Sequence, residues 1–411
     1  MTHEPTTADP GPAVPGDAGR SQQRWLRERD HLNAHRHDLI PLVQPCYPRS
    51  WRVAGTPLLA RPQWRPAEPV PLEAVTLSWH PGRSGMAVDP VQPARSEGVR
   101  PLRADGTRFG SYAEALAALR PPRLLENRIC YRLLAAESPA AGPRLGFGAN
   151  RYFDLINVSE AVAHETAAWV LAHPDRAIGP RPDELPLRLA IGDPLDLARR
   201  SVTTGIATLI LRLDREAGTA QMLLHWRDPA SVAVNGGLYQ VAPAGMFQPS
   251  GEARGNLAND LSLWRSIARE VSEELLGTSE DYGSDQAPIE YERWPFFAAL
   301  SGARQAGTLR GYWLGAGADP LTLDVDLLTV LVFDAEFFDA EFGGLVSANE
   351  EGRILTGGTG TGAGAAAAPG EVGIEFSAAN VDRFTSVEAM QPAGAAILRL
   401  AWRHRDVLLG G

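Results

Sequence analysis

The strongest pattern along the chain is a helical stripe at residues 262–276, SLWRSIAREVSEELL. There Trp264, Ile267, Ala268, Val271 and Leu275 recur at i, i+3, i+4, i+7 and i+11. That spacing predicts a helix with one core-facing side. Around it the period shortens. Apolar and β-branched runs at 205–213, 220–226, 237–242, 289–300, 309–314 and 323–333 read as strands between turn residues. The first two are joined by Asp-Arg-Glu-Ala-Gly, a hairpin signal. The run LDVDLLTVLVF at 323–333 is the most apolar and predicts a central strand. Residues 391–409 predict a closing amphipathic helix with Pro392 in its first turn.

The N-terminal side is less regular. A polar helix is expected at 24–37, strands at 50–59 and 72–79 among recurring prolines, and a short helix at 112–119 stopped by Pro121 and Pro122. Runs at 127–136 and 144–156 alternate like a hairpin, and a helix follows to residue 173 with Ser159 as its cap. A short strand is expected at 187–191. Residues 1–24 are too poor in apolar side chains to order themselves and read as a disordered tail. The Pro- and charge-rich segment 174–186 reads as a boundary, dividing an α+β domain of unassigned role at 25–186 from a second domain at 187–411. Residues 356–370 are a flexible Gly/Ala loop. No strand–turn–helix context makes their glycines a phosphate cradle.

Composition narrows the function. With 411 residues, 44% of them apolar, the chain can bury a sizeable core. A formal net charge of −10 argues against a general nucleic-acid binder. All 39 basic residues are Arg, which excludes Schiff-base and P-loop lysine chemistry. Cys46 and Cys130 form neither a disulfide framework nor a metal cluster, so a reducing cytoplasm is expected. No apolar stretch is long enough to span a membrane. Homodimerisation is left open.

Candidate chemistry lies on the 262–276 helix. Glu270, Glu273 and Glu274 fall on one stripe beside the apolar one. Like charges three and four apart repel by a few tenths of a kcal/mol per pair. Arg265 and Arg269 relieve this in part, and an ordinary solvated acidic face is the plain reading. A divalent cation would resolve the repulsion outright, and such hard oxygen ligands suit Mg²⁺ or Mn²⁺. Two weaker constellations read as surface polarity: His31 with His35, which lack a third ligand, and Glu160 with His164 and Glu165.

The residues before the helix change the weighting. A strand, the turn Pro243-Ala244-Gly245, Gly251-Glu252 and then Arg269-Glu270-Val271-x-Glu273-Glu274 with a closing glycine resemble the Nudix hydrolase box. Gly245 matches its loop glycine, Glu252 its first glutamate, and Arg269, Glu270, Val271, Glu273 and Glu274 its core. Six residues rather than five separate Gly245 from Glu252, sixteen rather than seven separate Glu252 from Arg269, and Gly277 comes one residue late. A second register through Gly255 keeps both spacings but places Leu261 at the glutamate position, beside Asp260. In the first register, residues 253–260 are an insertion.

The resemblance implies an α/β (α+β) fold: a Nudix-like α/β/α sandwich with a mixed sheet at 187–411, preceded by the α+β N-terminal domain. It also implies Mg²⁺-dependent (or Mn²⁺-dependent) hydrolysis of a nucleoside diphosphate linked to another moiety. Water would attack phosphorus, Glu270, Glu273 and Glu274 would bind the metal, and Arg269 would position them. The Ala244–Gly245 backbone, with Glu252, would form the phosphate loop. A later acid is expected from Glu350 or Glu351. Phe247, Tyr312 and Trp313 could stack on a base, although core packing suits each. The alternative is a Nudix-like ligand-binding or regulatory protein with little or no turnover, which the altered spacing favours.

Overall fold

Apart from the acids Asp326 and Asp334, every residue of the strand Val325–Asp334 is buried. Alternate side chains of a strand point to opposite faces, so this one is covered on both and sits inside a sheet. The computed structural model describes residues 16–82, 96–122, 125–176, 178–227, 237–279, 282–343, 348–349, 352–354 and 372–410. In it Val325–Asp334 runs parallel to Thr204–Asp214, with Leu327 opposite Ile206 and Val330 opposite Leu209. Leu309–Ala318 pairs antiparallel on its other side. Val70–Pro71 extends that edge, while Thr219–Met222 and Ile374–Glu375 extend the opposite one. The short strand Ala244–Met246 pairs antiparallel with the start of Thr204–Asp214, Ile206 opposite Gly245. The architecture is thus a mixed sheet with helices Leu263–Leu276, Pro295–Ala306, Ala335–Phe342 and Pro392–Arg403 packed on it.

Other expectations shift. Residues 187–191 lie in a helix, Pro186–Ile191, rather than a strand. Pro186 holds its first position, where a fixed φ helps and the missing N–H is no loss. Residues 289–300 form the single turn Tyr291–Arg293 and the helix Pro295–Ala306, again opened by a proline. Residues 50–59 contain no strand beyond two isolated bridges, Arg52 with Leu59 and Leu59 with Ala318. The first helix begins earlier than expected, at Asp17, and runs to Val43, with His35 out of helical geometry. Among the described residues no helix is long and apolar enough to cross a membrane. The loop at 356–370 lies outside the described residues.

One apolar core runs from Trp25 to Leu408, across the expected boundary at 186. The first helix packs on Ser159–Ala172. Next to it a three-stranded sheet, Thr76–Trp79, Arg144–Arg151 and Ile129–Glu137, meets the approach to the main sheet, where the Leu133 N–H donates to the Val202 carbonyl at 2.8 Å.

Arg188 joins the halves from inside. It is 3% exposed. Its guanidinium donates to the carbonyls of Pro320 and Leu321 and to the Tyr47 hydroxyl, each at 2.6 Å. Replacing it with methionine keeps most of the volume and strands two buried carbonyls. At about 1–3 kcal/mol for each unsatisfied group, Arg188→Met should lower the unfolding free energy by about 2–6 kcal/mol in urea titrations, with one cooperative transition for the whole chain.

Candidate functional site

The helix that carries the three glutamates is fixed at both ends. The Ser262 hydroxyl accepts from the Arg265 N–H at 3.3 Å, and Gly277 closes the helix with φ 65°. Ile267, Ala268, Val271 and Leu275 are fully buried. That turns the adjacent acidic stripe toward a cavity of about 940 Å³ at the start of the two parallel strands. Glu270, Glu273 and Glu274 all line it, as do Arg269, Ala244 and Gly245.

The contacts are close. The Glu274 carboxylate accepts the Ala244 N–H at 2.9 Å, and Glu273 accepts the Tyr282 hydroxyl at 2.8 Å. The Glu270 carboxylate lies so near Gly245 that a Cβ there would stand 2.0–2.5 Å from its atoms. Glycine is therefore required by contact, not by φ. Burial pushes the Tyr282 hydroxyl pKa up, and the neighbouring Glu273 adds to it, so this phenol stays a donor.

Arg269 is 4% exposed and acts as a bolt. It donates to the Gln248 carbonyl at 2.7 Å and to Asp260 Oδ2 at 3.4 Å. Asp260 is fully buried and also accepts from the Ser250 N–H and hydroxyl, the Tyr291 hydroxyl and Asn259. The extra residues 253–260 thus form a short helix, Arg254–Asn259, whose end is an internal anchor.

Other expected site residues lie apart. Glu252 accepts from the Ile129 N–H at 2.7 Å and from Arg151 at 3.0 Å, and it is not in the cavity wall. Glu350 and Glu351 fall outside the described residues. Phe247 and Trp313 are fully buried, Phe247 against Tyr131 and Phe147. Neither they nor Tyr312 reach the cavity. His31 and His35 lie against each other with ring centroids 4.5 Å apart and ring planes tilted by 37°.

Two groups were misjudged in the sequence, one read as surface polarity and one passed over. Glu160 and His164 are not surface polar groups but are 2% and 0% exposed. Glu160 forms ion pairs with Arg29 and Arg36. His164 meets the Tyr112 hydroxyl at 3.2 Å and Glu28 at 3.1 Å. Burial alone would raise the Glu160 pKa, but the two guanidinium charges prevail and hold it at about 2. Ser159 does not cap its helix; its hydroxyl donates to Asp324.

The second group is Asp319, Asp324 and Asp326. Asp319 accepts the Leu321 and Thr322 N–H groups. Asp324 and Asp326 are pushed up to about 7, first by burial and then by neighbouring carboxylates: Glu160 and Asp319 for Asp324, Asp324 and Asp319 for Asp326. The readable signal was two acids at alternate positions opening an otherwise apolar strand.

The donors fit a hard cation in kind, all being oxygens. Among the described residues, however, no three His, Cys, Asp or Glu groups stand close enough to hold one ion by themselves. An ion held by one or two carboxylates and completed by ligand oxygens fits this wall, and Mg²⁺ is commonly bound in that way.

The shifts give opposite pH dependences. Glu160 is depressed, so its contribution to stability is present above pH 4.5 and is lost as pH falls toward about 2. Asp324 and Asp326 are raised: the folded form holds protons that the unfolded chain releases, so stability falls as pH climbs from about 4 through their folded value of about 7. Asp326→Asn should flatten the decline between pH 5 and 8 in denaturant titrations. A separate test is Gly245→Ala, which should displace the Glu270 carboxylate. Far-ultraviolet circular dichroism should be unchanged while any ligand binding at the cavity is lost.

No protein-family model matches the chain, and none of the curated proteins compared with it matches.

Proposed function

We propose that this protein is an Mg²⁺-dependent (or Mn²⁺-dependent) hydrolase of Nudix type, with its C-terminal half as the Nudix-like sandwich. Its substrate would be a nucleoside diphosphate linked to another moiety. One observation carries the reading: Glu270, Glu273 and Glu274 share one cavity wall with the Ala244–Gly245 turn, and Glu270 lies directly on Gly245. A second supports it. Seven acids line the cavity among the described residues, against the two arginines Arg128 and Arg269 in the same wall. A diphosphate cannot enter such a site without cations.

A divalent ion held by one or two of these glutamates and completed by phosphate oxygens would neutralise the diphosphate and polarise phosphorus. The chain itself does the rest. Gly245 lets the loop backbone come close to the phosphates. The Ala244 N–H and Tyr282 hydroxyl orient Glu274 and Glu273, and Arg269 locks the helix that carries them. Water attacks phosphorus, the bridging P–O bond breaks toward the leaving phosphate, and a wall carboxylate takes the water proton.

A binding role without turnover is the second reading. It is favoured by the wall's lack of three carboxylates placed to chelate one ion among the described residues. Both readings predict Mg²⁺-dependent ligand binding, and only the first predicts products. Phosphate or nucleotide release from a panel of nucleoside diphosphate compounds with Mg²⁺ separates them. Wild type should turn over at least one compound, and Glu274→Gln should reduce kcat by on the order of 100-fold with little change in melting temperature. Absence of turnover by wild type at high enzyme concentration would leave the binding role.

A further inference from the structure

Among the described residues, the cavity wall holds two arginines and no other cationic side chain. They differ in what can reach them. Arg269 is 4% exposed, and its guanidinium is closed in against the Gln248 carbonyl and Asp260. Arg128 is only half-buried and lines the same cavity. It is therefore the wall cation within reach of a ligand, and it comes from the N-terminal side of the chain.

The backbone around Arg128 is tied down on both sides. Its own carbonyl accepts the Tyr152 N–H at 2.9 Å. The next N–H, of Ile129, donates to Glu252 at 2.7 Å, and Glu252 also accepts from Arg151 at 3.0 Å. Before it, the Asn127 carbonyl accepts from Arg151 at 2.8 Å and the Asn127 side-chain oxygen accepts the Phe153 N–H at 2.9 Å. A side chain that starts from a fixed backbone loses less freedom when it grips a ligand.

From this platform the guanidinium reaches the C-terminal half. Its Nη2 donates to the Ser250 carbonyl at 3.3 Å, which is long for such a bond. Arg269 is bonded two residues earlier in the same stretch, at Gln248. Gln248, Pro249 and Ser250 all line the cavity, just past the strand Ala244–Met246 that carries the glycine turn. Arg128 is thus set at the far end of the loop that begins as the phosphate turn. A carbonyl offers a guanidinium one oxygen and no charge. A phosphate offers two oxygens that match the fork of N–H donors, and the opposite charge as well. Seven acids share the wall, and a single divalent ion answers only part of their repulsion on a diphosphate.

We propose that Arg128 is the substrate-gripping cation of this site. Its guanidinium takes two oxygens of one phosphate, while the divalent ion held by the glutamate helix coordinates the diphosphate as well. The role rests on the diphosphate reading. It makes the N-terminal half of the chain a supplier of binding chemistry and not only a support.

The test compares Arg128→Gln with Arg128→Lys in the full chain. Both side chains can still donate to the Ser250 carbonyl, so a purely structural tie survives in each, and only lysine keeps the charge. The probe is inorganic pyrophosphate with Mg²⁺ at pH 7.5, titrated calorimetrically at a temperature where circular dichroism shows all three proteins folded. Wild type should bind it. Arg128→Gln should weaken the affinity by about tenfold or more. Arg128→Lys, a point charge without the fork, should fall between the two. An affinity of Arg128→Gln within about twofold of wild type overturns the proposal and leaves the diphosphate reading intact. Equal losses in the two variants do the same, since the charge would then not matter. Failure of wild type to bind pyrophosphate at all overturns both.

Discussion

The contact between the Glu270 carboxylate and Gly245 is the constraint on which the site depends. A loop and a helix can approach this closely only where one of them has no side chain. Much of the surrounding structure serves to hold that approach. The Ser262 and Gly277 caps fix the ends of the helix, its apolar stripe presses it into the core, and Arg269 ties its middle to the loop through Gln248 and Asp260.

Charge is handled in two ways within one wall. Glu160 is neutralised twice, by Arg29 and Arg36, and is a structural ion. Leaving such a carboxylate buried without its partners would cost several kcal/mol. Asp324 and Asp326 receive no comparable help, and their raised pKa values register that deficit. A fold selected for stability alone would not place these acids together. The imbalance therefore points to ligand chemistry rather than to packing.

The central strand, the acidic helix and its glycine turn were legible in the sequence because each is fixed by local pattern. The helix shows a 3.6-residue stripe, the strand a predominantly apolar run, and Gly245 a turn beside an apolar segment. Residues 187–191 and 289–300 misled because short apolar or aromatic runs suit either state. The prolines at 186 and 295 decided for helix. The role of Asp324 and Asp326 was not legible, since it depends on Ser159 and Glu160, which lie more than 150 residues earlier in the chain, packing against them. Glu160 and His164 were misread for the same reason: only the docking of the first helix buries them.

The shared wall also ties occupancy of the cavity to cohesion of the chain. Tyr152, Ser159 and Glu160 come from one side of residue 186 and the glutamate helix from the other, so the cavity exists only while the two sides are docked. A ligand that fills it binds that docked state alone. By mass action it adds about 2.7 kcal/mol to the docking at a hundredfold excess over Kd. Part of the stability of the first helix, far from any diphosphate, is then set by the concentration of a small molecule.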